Sequence, residues 1–212
     1  MKKKSCVPAG IVFGVLCLLA ATAAGLGFIH LTGLPYRIDV DALGIPASSG
    51  YAREVALRNY GAVMEFLRPF STAEFSLPDL AFSRTGAIHF EECRVLFNGV
   101  YAAGAAALAL LVAMAAVMRG RPRGYLRVGG FVTLAVPCAL LAAAAADFDS
   151  AFVLFHKLFF RNDYWYFDPA TDPVIKILPE RFFLHCALVI ALFWALAAAL
   201  ELLAGCRRHT AE

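Results

Sequence analysis

The sequence predicts an all-α, polytopic membrane protein with four spanning helices and two extracytoplasmic segments that carry short amphipathic interfacial helices. Composition and patterning carry that prediction. Of 212 residues, 61% are hydrophobic and only 17% charged, and the mean hydropathy is +0.70, well above that of water-soluble domains. The apolar residues also gather in four runs of the length needed to cross a hydrocarbon core of about 30 Å, roughly 20 residues each. Nineteen Lys plus Arg against sixteen Asp plus Glu leave +3, too slight and too scattered for a nucleic-acid binder. Residues 1–212 read as a single integral membrane domain with no room for a large soluble one.

The first span, about 8–31, follows Lys2, Lys3 and Lys4. A secretory signal opens the same way, but the run from Pro8 to Leu31 is longer than the roughly 7 to 15 residues of a signal's apolar core, so a retained helix is expected. The outer segment 32–94 comes next. Within it, residues 53–68 place Leu57, Tyr60, Val63, Met64 and Leu67 at helical spacing with charges opposite, the pattern of an amphipathic helix lying on the membrane or packing on the bundle. Ser71 to Pro78 breaks it. Ser83 and Thr85 ahead of acidic residues then suit a helix start, and this helix is expected to run on into the second span, 95–118. That places His89 just above the membrane boundary, with Glu92 and Cys93 one turn along on the same face.

The third span, 127–147, follows the short basic connection of Arg119, Arg121, Arg123 and Arg127. The second outer segment, 147–181, opens on a helix in which Phe152, Phe155 and Phe159 form a stripe bordered by His156. Tyr164, Trp165 and Tyr166 suit interfacial anchoring, and Pro169, Pro173 and Pro179 set a rigid course into the last span, 182–204. Lys2 to Lys4, the basic connection, Arg207 and Arg208 make nine cations in short segments that hold a single acid, Glu212. The two long segments hold ten basic and fourteen acidic residues. The positive-inside rule therefore predicts both termini in the cytoplasm of a bacterial cell membrane and both long segments outside.

Several residue sets in those outer segments have chemical potential. His89 and His156 are the only histidines there, at similar depth. Two imidazoles at an apolar interface suit shared acid and base duties near neutral pH, although simple amphipathic anchoring is the plainer use of an interfacial histidine. A metal site would draw on His89, Glu92 or Cys93, His156 and Asp163, but no HExxH pattern is present, and neither a metal nor a cofactor is expected. No GxSxG occurs, and Ser83 and Ser150 stand where helix caps do. Arg94, Lys157, Arg161 and Lys176 lie near headgroup depth, as phosphate contacts or snorkelling side chains. Asp163, Asp168 and Asp172 either orient an imidazole or cap turns. His30, His185 and His209 read as interface, packing and tail residues. Cys6, Cys17, Cys138, Cys186 and Cys206 fall in or beside spans, leaving Cys93 alone outside and no disulfide to expect.

These residues also carry a family resemblance. Asn59-Tyr60 with Phe66-Leu67, Phe82-Ser83, His89-Phe90-Glu91-Glu92-Cys93-Arg94, Phe155 through Trp165, Asp168-Pro169, Asp172-Pro173, Ile177-Leu178-Pro179 and Phe182-Phe183 together resemble the bacterial lipoprotein intramolecular transacylase (Lit) family. In the first motif, His-Met/Phe-x-Asp-Val-Lys/Arg, Glu92 stands at the Asp place and Cys93 at the Val place. The second, Phe-His-x-x-Phe-Phe-x-Asn-Asp-x-Trp, is met throughout by Phe155 to Trp165. The resemblance implies four spans in the same orientation and an active site at the outer leaflet, with His89 and His156 as the catalytic pair. It further implies that Glu92, Arg94, Arg161, Asn162, Asp163 and Trp165 bind or orient the substrate. The implied reaction moves a fatty acyl chain of a diacylated bacterial lipoprotein from glycerol to the α-amine of its N-terminal cysteine, giving a lyso-form lipoprotein. The implied partners are those lipoproteins and membrane lipid.

The residues alone leave another class open: a non-enzymatic scaffold or accessory subunit whose outer aromatics hold lipid or a partner. A transporter fits poorly, because the spans carry almost no ionisable residue to line a polar path, Glu201 near the inner end being an exception.

Overall fold

The structure, a computed structural model, describes residues 6–120 and 123–206. Lys2, Lys3, Lys4, Arg121, Arg207, Arg208, His209 and Glu212, named above, lie outside that range. The described residues form nine helices and no strand: α1 (Val7–Thr32), α2 (Leu34–Ala42), α3 (Ile45–Ser49), α4 (Arg53–Leu67), α5 (Arg84–Val117), α6 (Gly124–Ala146), α7 (Phe148–Phe159), α8 (Val174–Ile177) and α9 (Glu180–Cys206). Of these, α1, α5, α6 and α9 are long and apolar enough to cross a membrane, at the four expected places. As expected, one unbroken helix carries the chain from Arg84 through the second span. Its last charged residue is Arg94, so its spanning part is 95–117 and its first three turns stand outside the apolar run.

Three short helices were not expected, and proline explains why. Pro35 and Pro46 sit in the first turns of α2 and α3, and Pro173 caps α8. A proline read as a breaker is equally a starter, since a helix's first amides have no partner within it and the ring already holds a helical φ. Gly33 separates α1 from α2 at φ +59°, a left-handed turn that favours glycine.

The helices divide into two compact sets of residues. The first comprises 6–25, 100–145 and 190–206. Here small residues let helix backbones meet, as is usual in membranes: a β-carbon on Gly14 would lie 2.6 Å from the Gly129 carbonyl. The Thr133 hydroxyl donates to the Gly14 carbonyl (3.2 Å) and the Trp194 indole to Thr22 (2.8 Å).

The second set comprises Leu26–Gly99 and Ala146–Val189. Its core brings α2, α3, α4 and α8 around Tyr36, Val40, Ile45, Val63, Phe66, Val174 and Ile177, all buried. Tyr36 stacks on Tyr60 with ring centres 3.9 Å apart, and its hydroxyl donates to the Ile177 carbonyl (2.8 Å). The amphipathic helix expected at 53–68 is α4, and Tyr60, Val63 and Leu67 face this core. Asn59 then ties the following loop down: its amide donates to the Val55 carbonyl and to Asp79 (2.8 and 2.9 Å) and its oxygen accepts from the Asp79 amide.

Asp172 fastens the start of α5. It is 3% exposed, accepts from the Ser83 amide (2.8 Å) and from the Thr171 hydroxyl (2.8 Å), and lies so close that a β-carbon on Gly86 would fall 2.2 Å from its oxygen. Ser83 is itself a cap, as expected, accepting from the Gly86 amide. Ser150 is not. Asp147 caps α7, accepting from the Ser150 amide (3.0 Å) and hydroxyl (2.6 Å), because the aspartate stands three residues earlier. Replacing Gly86 with alanine is expected to overpack this joint, at a cost of about 1–3 kcal/mol. Thermal unfolding of the purified protein in detergent checks it: Gly86→Ala melts earlier than wild type.

Candidate active site

Two helices and one loop, all within the second set, build the candidate site. The first turns of α5 supply His89, Glu92 and Cys93, α7 supplies His156, and residues 160–167 supply Phe160, Asn162, Trp165 and Phe167. The two imidazoles face each other with ring centres 5.8 Å apart and planes inclined 37°, and are only 6% and 8% exposed. Aromatic rings enclose them. Phe160 and Phe167 stand 4.7 and 5.6 Å from His89, and Phe152 and Trp165 stand 4.2 and 4.7 Å from His156.

The two sides of α7 differ in burial. His156 is buried, whereas Leu154, Phe155, Leu158 and Phe159 are largely exposed. For a helix skirting a bilayer the physics of sidedness is reversed: apolar side chains lose nothing by facing lipid, while an imidazole gains by meeting partners inside the protein.

Hydrogen bonds determine what each ring offers. The Nδ1–H of His156 donates to the Phe152 carbonyl (2.7 Å), so in the neutral ring Nε2 keeps the free lone pair. His89 Nε2 meets the Cys93 thiol at 3.4 Å, which leaves Nδ1 buried and without a partner. Glu92 is held by one oxygen, which accepts from the Asn162 amide (2.7 Å); its other oxygen is buried and unpartnered, as is the Trp165 indole N–H. Unpaired buried polar atoms are costly and uncommon. Three around one pair of rings mark a place for a polar ligand.

Burial sets the protonation state of both rings. Desolvation draws the His89 imidazole below its ordinary value of 6.5, and the facing His156 ring adds to this. Desolvation likewise lowers His156, with the Phe152 carbonyl opposing in part. Both rings are therefore neutral at physiological pH and able to accept a proton. Burial pushes the Cys93 thiol up to about 12, so it stays protonated.

The other expected site residues are placed as follows. Arg94 donates to Glu91 (2.5 Å) and to the Ala73 carbonyl (2.8 Å) and lies over the Phe66 ring, holding the 68–83 loop to α5. Arg161, Lys157, Lys176 and Asp163 are exposed. None of the three aspartates orients an imidazole: Asp172 caps α5, Asp168 accepts from the Ala170 amide, and the Asp163 carbonyl accepts from the Tyr166 amide. A backbone carbonyl orients His156 instead, a partner that no side-chain motif encodes. Among the described residues, no three His, Cys, Asp or Glu side chains gather as metal ligands. The sequence reading also passed over one pair: His185, taken as packing, donates from Nδ1 to both oxygens of buried Asp39 (2.8 and 2.9 Å). His30 packs edge-on against Phe97, 4.9 Å away. All six cysteines are free.

Fold and site together define a multi-pass membrane protein with a buried, aromatic-lined pair of imidazoles. The family model described as lipoprotein intramolecular transacylase Lit matches residues 11–183. Among solved structures, the membrane integral lipoprotein intramolecular transacylase Lit from Bacillus cereus is 31% identical, over 91% of this chain and 90% of that one, with a TM-score of 0.86. Two variants of that protein, with one histidine replaced by arginine or by alanine, are 30% identical over 91% of this chain and 86% and 88% of theirs, each with a TM-score of 0.80. No curated protein matches. This chain belongs to the lipoprotein intramolecular transacylase family, and is a membrane-integral acyltransferase. The scaffold reading is thereby set aside.

The Arg94 guanidinium is engaged by the Ala73 carbonyl and Glu91, so its loss is expected to act through the loop. Arg94→Ala should make the 68–83 segment more protease-sensitive, which limited proteolysis followed by mass spectrometry of the fragments checks.

Proposed function

We propose that this chain moves one acyl chain of a diacylated bacterial lipoprotein from the glycerol on its N-terminal cysteine to that cysteine's α-amine, with His89 and His156 carrying the protons. The single observation behind this reading is the facing pair of buried, neutral imidazoles with unpartnered polar atoms beside them. Aminolysis of an ester makes three demands: the amine must shed a proton, the tetrahedral oxyanion needs a donor, and the departing glycerol oxygen must regain a proton.

Each demand has a candidate group. His156 Nε2 is the base, since the Phe152 carbonyl holds its proton on Nδ1. His89 Nδ1 is the acid toward glycerol, with the Cys93 thiol donating to Nε2. The Trp165 N–H faces the oxyanion, and the free oxygen of Glu92, steadied by Asn162, receives the substrate ammonium before it is deprotonated. The ammonium releases one proton to solvent as it becomes the free amine, a second enters at His156 during attack and one leaves from His89 to the glycerol oxygen, and transfer between the facing rings resets the pair. Arg161 and Asp163, exposed beside this loop, contact headgroup or peptide. Amine and ester belong to one molecule, so holding them in near-attack geometry supplies much of the acceleration, and the aromatic enclosure excludes the water that would hydrolyse the ester. The charge distribution supports both termini in the cytoplasm and this site at the outer leaflet.

Co-expression with a defined diacylated lipoprotein in a host lacking N-acylation, followed by mass spectrometry of the N-terminal peptide, tests the reading. Wild type is expected to shift one acyl chain to the amine. His89→Ala and His156→Ala should each lose at least about 10²-fold in rate while still inserting, and Trp165→Phe should lose roughly 10²-fold. Undiminished transfer in either histidine variant removes that ring from the mechanism. The pH dependence has a definite sign. Because both rings are held below 6.5, the rate stays level as pH falls through that value and drops only below it, when protonated rings can no longer accept. An acid limb centred at or above 6.5 contradicts this.

A further inference from the structure

Where the first span ends, the second set of helices encloses a cavity that acyl transfer does not use. Its volume is about 370 Å³, and its lining includes Gly33, Arg37, Arg53, Tyr60 and Arg68. Its depth follows from the chain: α1 stops at Thr32 and α2 starts at Leu34, so Thr32 and Gly33, which line it, stand where hydrocarbon gives way to headgroups. Two of the three guanidinium groups are committed. Arg53 grips Asp41 with two nitrogens (2.8 and 2.9 Å), and Arg68 pairs with Glu65 (2.9 Å). Arg37 is exposed and has no ion pair among the described residues. Flanking it, Leu31, Leu34 and Ile38 are 64%, 45% and 58% exposed. The hydroxyl of Tyr60, in the same lining, is buried with no acceptor.

We propose that this cavity binds the phosphate headgroup of a membrane phospholipid, with Arg37 on the phosphate and Leu31, Leu34 and Ile38 along the first methylenes of its chains. A weakly hydrated guanidinium fork fits phosphate oxygens in two-point contact, and a cation at headgroup depth attracts anionic lipid. An acidic peptide would satisfy the arginine but leave the exposed leucine and isoleucine side chains without a partner. A phospholipid meets both needs with one molecule. This site is separate from the imidazole pair and does not rest on the proposed reaction.

The test uses the purified full-length protein, delipidated in detergent, titrated with phosphatidylglycerol and followed by native mass spectrometry. Wild type is expected to take up one tightly held lipid. Arg37→Ala and Arg37→Gln should each weaken that uptake about tenfold with an unchanged melting temperature, and Arg37→Lys should weaken it less, keeping the charge without the fork. Equal uptake by wild type and both neutral variants overturns the proposal. Inorganic phosphate at millimolar concentration should leave the lipid in place. Displacement by phosphate assigns the site to a free anion, and displacement by an acidic peptide assigns it to a protein partner; either result overturns the lipid assignment.

Discussion

The cap that Asp172 places on α5 is the contact on which the site depends. An aspartate just before α8 accepts the amide of Ser83, 89 residues earlier in sequence, and crowds Gly86 so closely that no side chain fits there. This fixes where α5 begins, and therefore which residues of its first turns face residues 160–167. His89 follows Gly86 by about one turn, and Glu92 and Cys93 by about two. Their partners His156 and Asn162 lie on the same stretch of chain that leads to Asp172. One buried carboxylate thus sets the helical register against the loop, and the geometry of the imidazole pair is inherited from that joint.

Around the joint, polar groups are spent sparingly. The walls are phenylalanine and tryptophan rings, and the few buried heteroatoms meet a backbone carbonyl, as His156 does, one other side chain, as His89 and Glu92 do, or no partner at all. Such an enclosure keeps both rings neutral, because a cation there would lose its hydration. The arrangement differs from a histidine steered by a carboxylate, where the acid raises the ring's basicity. Here a backbone carbonyl sets the tautomer while burial keeps the basicity low, and base strength is exchanged for a surrounding that holds little water.

The four spans, α4, and the continuity of α5 through the membrane boundary were legible in the sequence, because each rests on periodicity over many residues: apolar runs in one case and the 57, 60, 63, 64, 67 stripe in the other. The pairing of His89 with His156 was legible as a similarity of depth, and the family's motifs sharpened it. What could not be read were contacts made by groups with no sequence signature. The Phe152 carbonyl that orients His156 is present in every residue type. Asp39 and His185 lie 146 positions apart and belong to no motif. Arg94 shows contacts that depth alone does not reveal: read as a headgroup contact or a snorkelling side chain, it donates to Glu91, three residues before it, and to the Ala73 carbonyl. Ser150 shows how narrow such assignments are, for its neighbour Asp147 is the cap by virtue of standing three places upstream.

The prolines at the starts of the short helices have a consequence beyond geometry. A helix's opening amides normally look to solvent for acceptors, and the layer between lipid tails and bulk water offers few. Pro35 and Pro46 each delete one such donor from a first turn, and Pro173 and Pro179, at the threshold of α8 and α9, delete two more. Four amides that would otherwise have to be appeased at a poorly wetted boundary are never made, which lets the chain change direction repeatedly there without leaving bare backbone behind.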